Sequence, residues 1–80
     1  MWKTLFARNL RILRERAGFT QKEFSAMLNI TRQTYCNYEN LTREPNLNTI
    51  VSIAELLDVS LDTLIRDTEL SIDKYSPKLQ

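Results

Sequence analysis

Apolar residues recur along this chain at spacings of three and four, in runs broken by small or turn-forming residues, and that pattern predicts five helices. Phe6, Leu10, Leu13 and Ala17 share one stripe and predict a first helix over about 4–17. Gly18 offers a left-handed stop, and Phe19 just beyond it packs back on the last turn. Thr20 with Glu23 three residues later forms a capping box for a second helix, whose inner side carries Phe24 and Leu28 with Ser25 beside them. Asn29 ends that helix, because Asn tolerates left-handed backbone. Ile30 then anchors the turn, and Thr31 caps a third helix whose inward residues are Tyr35 and Tyr38. After the connection 40–45, Pro45 biases Glu44 away from helix and Asn46 caps a fourth, with Leu47 at its start and a stripe of Ile50, Ile53, Ala54 and Leu57. Asp58 lies in its C-terminal turn, Val59 leads out of it, and Ser60 caps a short fifth helix presenting Leu61, Leu64 and Ile65.

Two features fall outside that scheme. Trp2, Leu5 and Ile12 occupy a second flank of the first helix, more apolar surface than a small domain leaves in water. The C-terminal tail or a second subunit is therefore expected to cover them, while Arg8, Arg11, Arg14 and Arg16 decorate the remaining surface. The tail, 67–80, has no helical period and contains Pro77. Leu70 and Ile72 alternate with Ser71 and Asp73, a faint strand signal set against the alternative of a disordered terminus.

Composition narrows the class to one all-α domain over 1–66 with a short tail. Eighty residues allow one domain, and a single Gly with two Pro is too few turn formers for a sheet protein. The absence of an apolar run of spanning length and of a signal peptide favours the cytoplasm. So does the one cysteine, Cys36, which has no internal partner for a disulfide. The net charge of +1 hides an asymmetry. Residues 1–43 hold eight Lys or Arg against three Asp or Glu, a net of +5, and residues 44–80 hold three against seven, a net of −4. One face is thus suited to a polyanion, and it belongs to the half that contains the second and third helices.

Those two helices and their tight turn describe a helix-turn-helix, with Arg32, Gln33, Cys36 and Asn37 on the outer side of the third. A Gln amide pairs bidentately with adenine N6 and N7, so Gln33 is the first candidate for a base contact. Arg32 can fork onto guanine O6 and N7 or fall back on a phosphate. Asn37, one turn beyond Gln33, is placed to read the next base pair. Thr31, and Thr34 if exposed, can offer a hydroxyl or methyl to thymine. Gln21 stands at the start of the second helix, where unpaired N–H groups favour a phosphate. Lys22, Asn40, Thr42 and Arg43 complete the candidate phosphate contacts, which position a domain without reading sequence. Cys36 is read as a small packing residue in preference to a redox switch, and Tyr38 and Glu39 as structural.

The segments LRERAGFTQKEFSAML, NITRQTYCNYEN, REPNLNTIVSIAELL and DVSLDTLI together resemble the Cro and phage-repressor helix-turn-helix family, also called the xenobiotic-response-element type. Thr20-Gln21, Tyr38-Glu39-Asn40, Arg43-Glu44-Pro45 and Val59-Ser60-Leu61-Asp62 fall in that family's order and spacing, over about residues 6–66. The resemblance implies a compact five-helix, lambda-repressor-like domain that inserts its third helix in the major groove of duplex DNA. It also implies a transcriptional regulator, most often a dimer on paired half-sites, in which Gln21 grips the backbone and buttresses the third helix. Three departures stand out. Ser25 replaces a favoured Ala, and is small enough to keep the second helix against the third. Asn29 and Leu41 stand where Gly is favoured, so the connection after Asn40 is expected to differ locally. Tyr35 replaces a small aliphatic, and its hydroxyl needs water or a partner.

The expected function is a sequence-specific duplex-DNA-binding regulator, a repressor acting as a homodimer, with Trp2, Leu5, Ile12, Leu70 and Ile72 as its dimer set. The alternative is a protein-interaction module, such as an antitoxin or adaptor, using the same surface. An enzyme is not expected: the chain has no His, no metal-ligand cluster, no Gly-rich phosphate loop and no nucleophile with an evident base. No cofactor, metal or membrane partner is expected either.

Overall fold

The computed structural model describes residues 2–66, which form five helices: α1 (Trp2–Ala17), α2 (Gln21–Met27), α3 (Arg32–Glu39), α4 (Leu47–Leu57) and α5 (Leu61–Ile65). The domain is all-α and compact, and α1 begins at Trp2 rather than near Thr4. The strand signal around Leu70 and Ile72 lies outside the described residues.

Three of the four joints are built alike. A residue with positive φ ends one helix, an apolar residue follows, and a hydroxyl caps the next: Gly18-Phe19-Thr20, Asn29-Ile30-Thr31 and Asp58-Val59-Ser60. At each, the N–H of the apolar residue reaches back five residues: Phe19 to Arg14 O, Ile30 to Ser25 O, Val59 to Ala54 O. The left-handed residue bonds back three, and together these bonds satisfy carbonyls that a helix end would otherwise leave open. The capping box is complete, with Thr20 Oγ1 accepting from Glu23 N–H and Glu23 Oε1 from Thr20 N–H.

The fourth joint, α3 to α4, uses the same device with the wrong residue. Leu41 sits at φ 67° and is 53% exposed, with Thr42 N–H bonded to Asn37 O at 3.0 Å. Those bonds hold a leucine in the left-handed region, at a position where Gly would meet no Cβ penalty. That conformation costs a Cβ-bearing residue about 1–2 kcal/mol. Leu41→Gly should therefore raise stability by about 0.5–1 kcal/mol, after allowing for the greater backbone freedom of Gly in the unfolded chain. An increase in the urea midpoint at unchanged slope checks this; a decrease would show that the leucine's side-chain contacts outweigh its backbone strain.

The core comprises Phe6, Leu10, Leu13, Phe24, Tyr35, Tyr38, Ile50, Ile53, Ala54 and Leu64. Tyr35 is its largest fully buried side chain and meets Phe24 edge-on, with ring centroids 5.5 Å apart, so that α3 is seated on α2 through aromatic contact. Ser25 is buried at that seam, and its hydroxyl donates to Lys22 O at 2.9 Å. The inner stripe of α1 departs from expectation at three places. Ala17 is exposed. Arg14, expected at the surface, is buried one turn on from Leu10 and takes the inward place near the helix end. Asn9 is buried between Phe6 and Leu13. Trp2 and Ile12 pack against the core, Trp2 meeting Phe6 edge-on, so the domain's own body covers part of the second flank. Beside Trp2 an apolar groove of 330 Å³ stays open, lined also by Leu47, Ile50, Leu61 and Ile65, with Leu47 67% exposed.

Candidate nucleic-acid interface

The polar face of α3 is presented outward because its opposite face is consumed. Tyr35 and Tyr38 point into the core, which leaves Arg32 and Gln33 exposed and Asn37 and Cys36 half-buried. Thr31 is exposed but already employed as a cap: its Oγ1 accepts from Thr34 N–H at 3.0 Å and donates to Thr34 Oγ1 at 2.8 Å. Its methyl is what remains for a base. Gln33 Nε2 donates to Asn37 Oδ1 at 3.1 Å.

Behind that face lies one carboxylate with donors from three helices. Glu39, at the end of α3, accepts from Arg14 Nε of α1 at 2.8 Å, from Gln21 Nε2 of α2 at 3.0 Å, and from the Tyr35 hydroxyl. Arg14 also donates to Phe19 O at 2.7 Å, tying the turn after α1 into the same set. The side chains of Arg14 and Glu39 are 8% and 4% exposed, so this is a buried ion pair. Burial acts to raise the Glu39 carboxyl pKa, but the hydrogen bonds from Arg14, Tyr35 and Gln21 and the guanidinium charge outweigh it, and the group stays ionised below its ordinary range. Burial and the bond to Glu39 push the Tyr35 phenol far up, so it remains a neutral donor. The partner that this unusual tyrosine required is thus Glu39. Because Glu39 is covered, no exposed acid stands anywhere from 24 to 43, and the cations Lys22, Arg32 and Arg43 are all exposed.

The other candidate phosphate contacts are held at both ends of α3. The Gln21 amide is fixed from two sides, donating to Glu39 and accepting from Cys36 Sγ at 3.0 Å. Cys36 therefore orients Gln21 besides filling space. The capping box pairs the N–H groups of Thr20 and Glu23, and the exposed Lys22 lies between them in the first turn of α2. After α3, Asn40, Thr42 and Arg43 are exposed. Asn37 O collects Thr42 N–H at 3.0 Å, Arg43 N–H at 3.3 Å and the Thr42 hydroxyl at 3.3 Å, which ties this loop to the last turn.

Sequence reasoning missed Arg14 and Asn9, yet both were marked. Phe6, Leu10 and Arg14 are four apart, and Asn9 lies three after Phe6 and four before Leu13, so helical period alone put them on the inner stripe. The i, i+4 bond between Gln33 and Asn37 was legible from spacing in the same way.

Two short helices joined at a tight turn, the second buttressed from within and polar outside, define a helix-turn-helix domain. The chain belongs to the helix-turn-helix family of the Cro/C1 type: the family's sequence profile matches residues 10–64. It is 40% identical over 62 residues to the uncharacterized HTH-type transcriptional regulator YqaE of Bacillus subtilis, a match covering 78% of this chain and 53% of that protein. It is 30% identical over 70 residues to the cryptic phage CTXphi transcriptional repressor RstR of Vibrio cholerae, covering 88% of this chain and 63% of that one. The chain spans about half the length of the first curated relatives it matches. Its fold matches the solution structure of the SOS-response transcriptional repressor LexA from Eubacterium rectale with a TM-score of 0.78 at 24% identity, over 89% of this chain and 76% of that chain.

Proposed function

We propose that this chain is the DNA-binding part of a transcriptional regulator, a repressor, that lays α3 in the major groove of duplex DNA and acts there by binding rather than catalysis. The observation that carries this is the outer side of α3: Arg32, Gln33 and Asn37 on a helix fixed from behind, with that helix's one carboxylate, Glu39, withdrawn into the core. A helix can enter that groove only if its exposed side meets base edges without repelling phosphates. Arg32, Gln33, Asn37 and the Thr31 methyl are the base-contacting set. Gln21, Lys22, Asn40, Thr42 and Arg43 grip the flanking phosphates. The names of the relatives, a transcriptional regulator and a phage repressor, support the same reading. A second copy covers the apolar groove around Trp2, Leu47 and Leu61, which makes the working form a homodimer.

Selection from a random duplex pool should return an inverted repeat with half-sites about one helical turn, roughly 34 Å, apart. On that duplex, Gln33→Ala should relax preference at one base pair by about 1–3 kcal/mol. Arg43→Ala should instead weaken every sequence alike and reduce the salt slope by about one. Gln21→Ala should weaken every sequence with the slope unchanged, since the amide carries no charge. Equal loss on all sequences for Gln33→Ala would remove it from the readers.

A further inference from the structure

Lys3 opens α1, far in sequence from the loop that follows α3, yet the fold brings the two together. Its ammonium lies 3.3 Å from a Glu44 carboxylate oxygen, and the two side chains are 57% and 49% exposed. Both line a pocket of 220 Å³ between the first turn of α1 and that loop. Trp2, Phe6 and Tyr38 form its apolar side, and Lys3, Arg43 and Glu44 its charged side. The loop's backbone donors are already employed, because the N–H groups of Thr42 and Arg43 both bond Asn37 O. An anion in this pocket has to be held by side chains. Two cations against one carboxylate leave the pocket a net charge of +1, which a single phosphodiester neutralises.

We propose that Lys3 and Arg43 close on one backbone phosphate of the duplex, and that Glu44 holds Lys3 beside that place until the DNA arrives. This rests on the reading that the loop after α3 lies against the phosphates. An ion pair as exposed as Lys3 and Glu44 is weak, so the ammonium is readily exchanged from the carboxylate to a phosphate. The apolar wall keeps water from one side of the charges and concentrates their pull on an anion. Lys3 therefore adds to the phosphate grip, and Glu44 competes with the DNA for it. Such a contact fixes the position of the domain on the duplex and carries no sequence preference.

The test measures the affinity of the full chain for its selected duplex and for an unrelated duplex across a salt series, with Lys3→Met, Glu44→Gln and Arg43→Ala. It then repeats the measurement on selected duplexes in which one phosphate at a time is replaced by an uncharged methylphosphonate. Lys3→Met should weaken both duplexes about fivefold and lower the salt slope by about one. Its urea midpoint should be unchanged, because Lys3 is exposed. Glu44→Gln should act in the opposite direction and tighten both duplexes about fivefold. The scan should find a phosphate whose neutralisation weakens the wild type, and weakens Lys3→Met and Arg43→Ala much less. Weakening by Glu44→Gln as well as by Lys3→Met would make the pair a tie that shapes the loop, and would overturn the clamp. A phosphate at which Arg43→Ala loses its sensitivity while Lys3→Met keeps it would also overturn the clamp, and would leave the loop on the backbone. Arg43→Ala with unchanged affinity and salt slope would overturn the placement of the loop and the clamp with it.

Discussion

Glu39→Ala is expected to lower stability by about 3–5 kcal/mol, enough to leave little folded protein at 25 °C. The reason is the residue left behind. Arg14 is buried beneath Glu39, and removing the carboxylate strands a guanidinium in the core with Phe19 O at 2.7 Å and the exposed Glu15 carboxylate, at 3.8 Å, in its place. A domain this small has on the order of 5 kcal/mol in all, so one such loss is decisive. The same carboxylate makes the fold acid-sensitive. Its folded pKa is depressed, so its contribution is present above the unfolded value and is lost as pH falls through the folded one. Stability of the wild type should decline from about pH 4 downward. Urea titrations across pH 2–7 measure both effects. A Glu39→Ala chain as stable as the wild type at pH 7 would show that Arg14 finds water or another acceptor. Glu39→Gln separates charge from shape, because it retains an acceptor for Arg14 and should fall between the two.

Asn9→Asp should be nearly as damaging despite its matching shape. Asn9 is fully buried and its Nδ2 faces three carbonyls, Thr63 O, Leu64 O and Arg66 O, at 3.0, 2.9 and 2.9 Å. Those carbonyls belong to α5 and its cap, a five-residue helix too short to persist alone. The amide of Asn9 and the buried side chain of Leu64 hold it against α1. An aspartate there replaces a donor with an anion facing three carbonyl dipoles, partly relieved by Arg8, which bonds Oδ1 from the other side at 2.7 and 3.0 Å. The expected cost is about 2–3 kcal/mol at pH 7. Protonating the new carboxyl restores a donor, so the gap between variant and wild type should narrow as pH falls. A gap that is constant from pH 3 to 7 would mean that lost volume or strain, and not the missing donor, accounts for the change. Amide exchange should show α5 released first.

The legibility of this chain divides by the range of the forces involved. Helix ends were readable because capping is local: Thr20 with Glu23, Asn29 before Thr31, and Asp58 before Ser60 each satisfy backbone groups within a few residues. The outer side of α3 was readable for the same reason, since Tyr35 and Tyr38 declare the inner side by period. The backbone of Leu41 is not legible from residue type, because leucine has no preference for the left-handed region and the bonds of the flanking residues hold it there. Arg14 and Asn9 were assigned by residue type, as surface groups or none at all, when their spacing already put them on the inner stripe.

The amino-acid order by itself determined five helices, their boundaries to within a few residues, and a polar face on the third. Only the tertiary structure decided what becomes of the charges and amides on the inner sides. Glu39 read in isolation is an acid at the end of an otherwise polar helix. Packed against α1 and α2 it is withdrawn, neutralised by Arg14 and used to seat Tyr35 and Gln21. A buried polar group must find partners wherever the fold brings them, and those partners lie 25 residues away for Glu39 and more than 50 for Asn9. No local pattern reports a contact of that range.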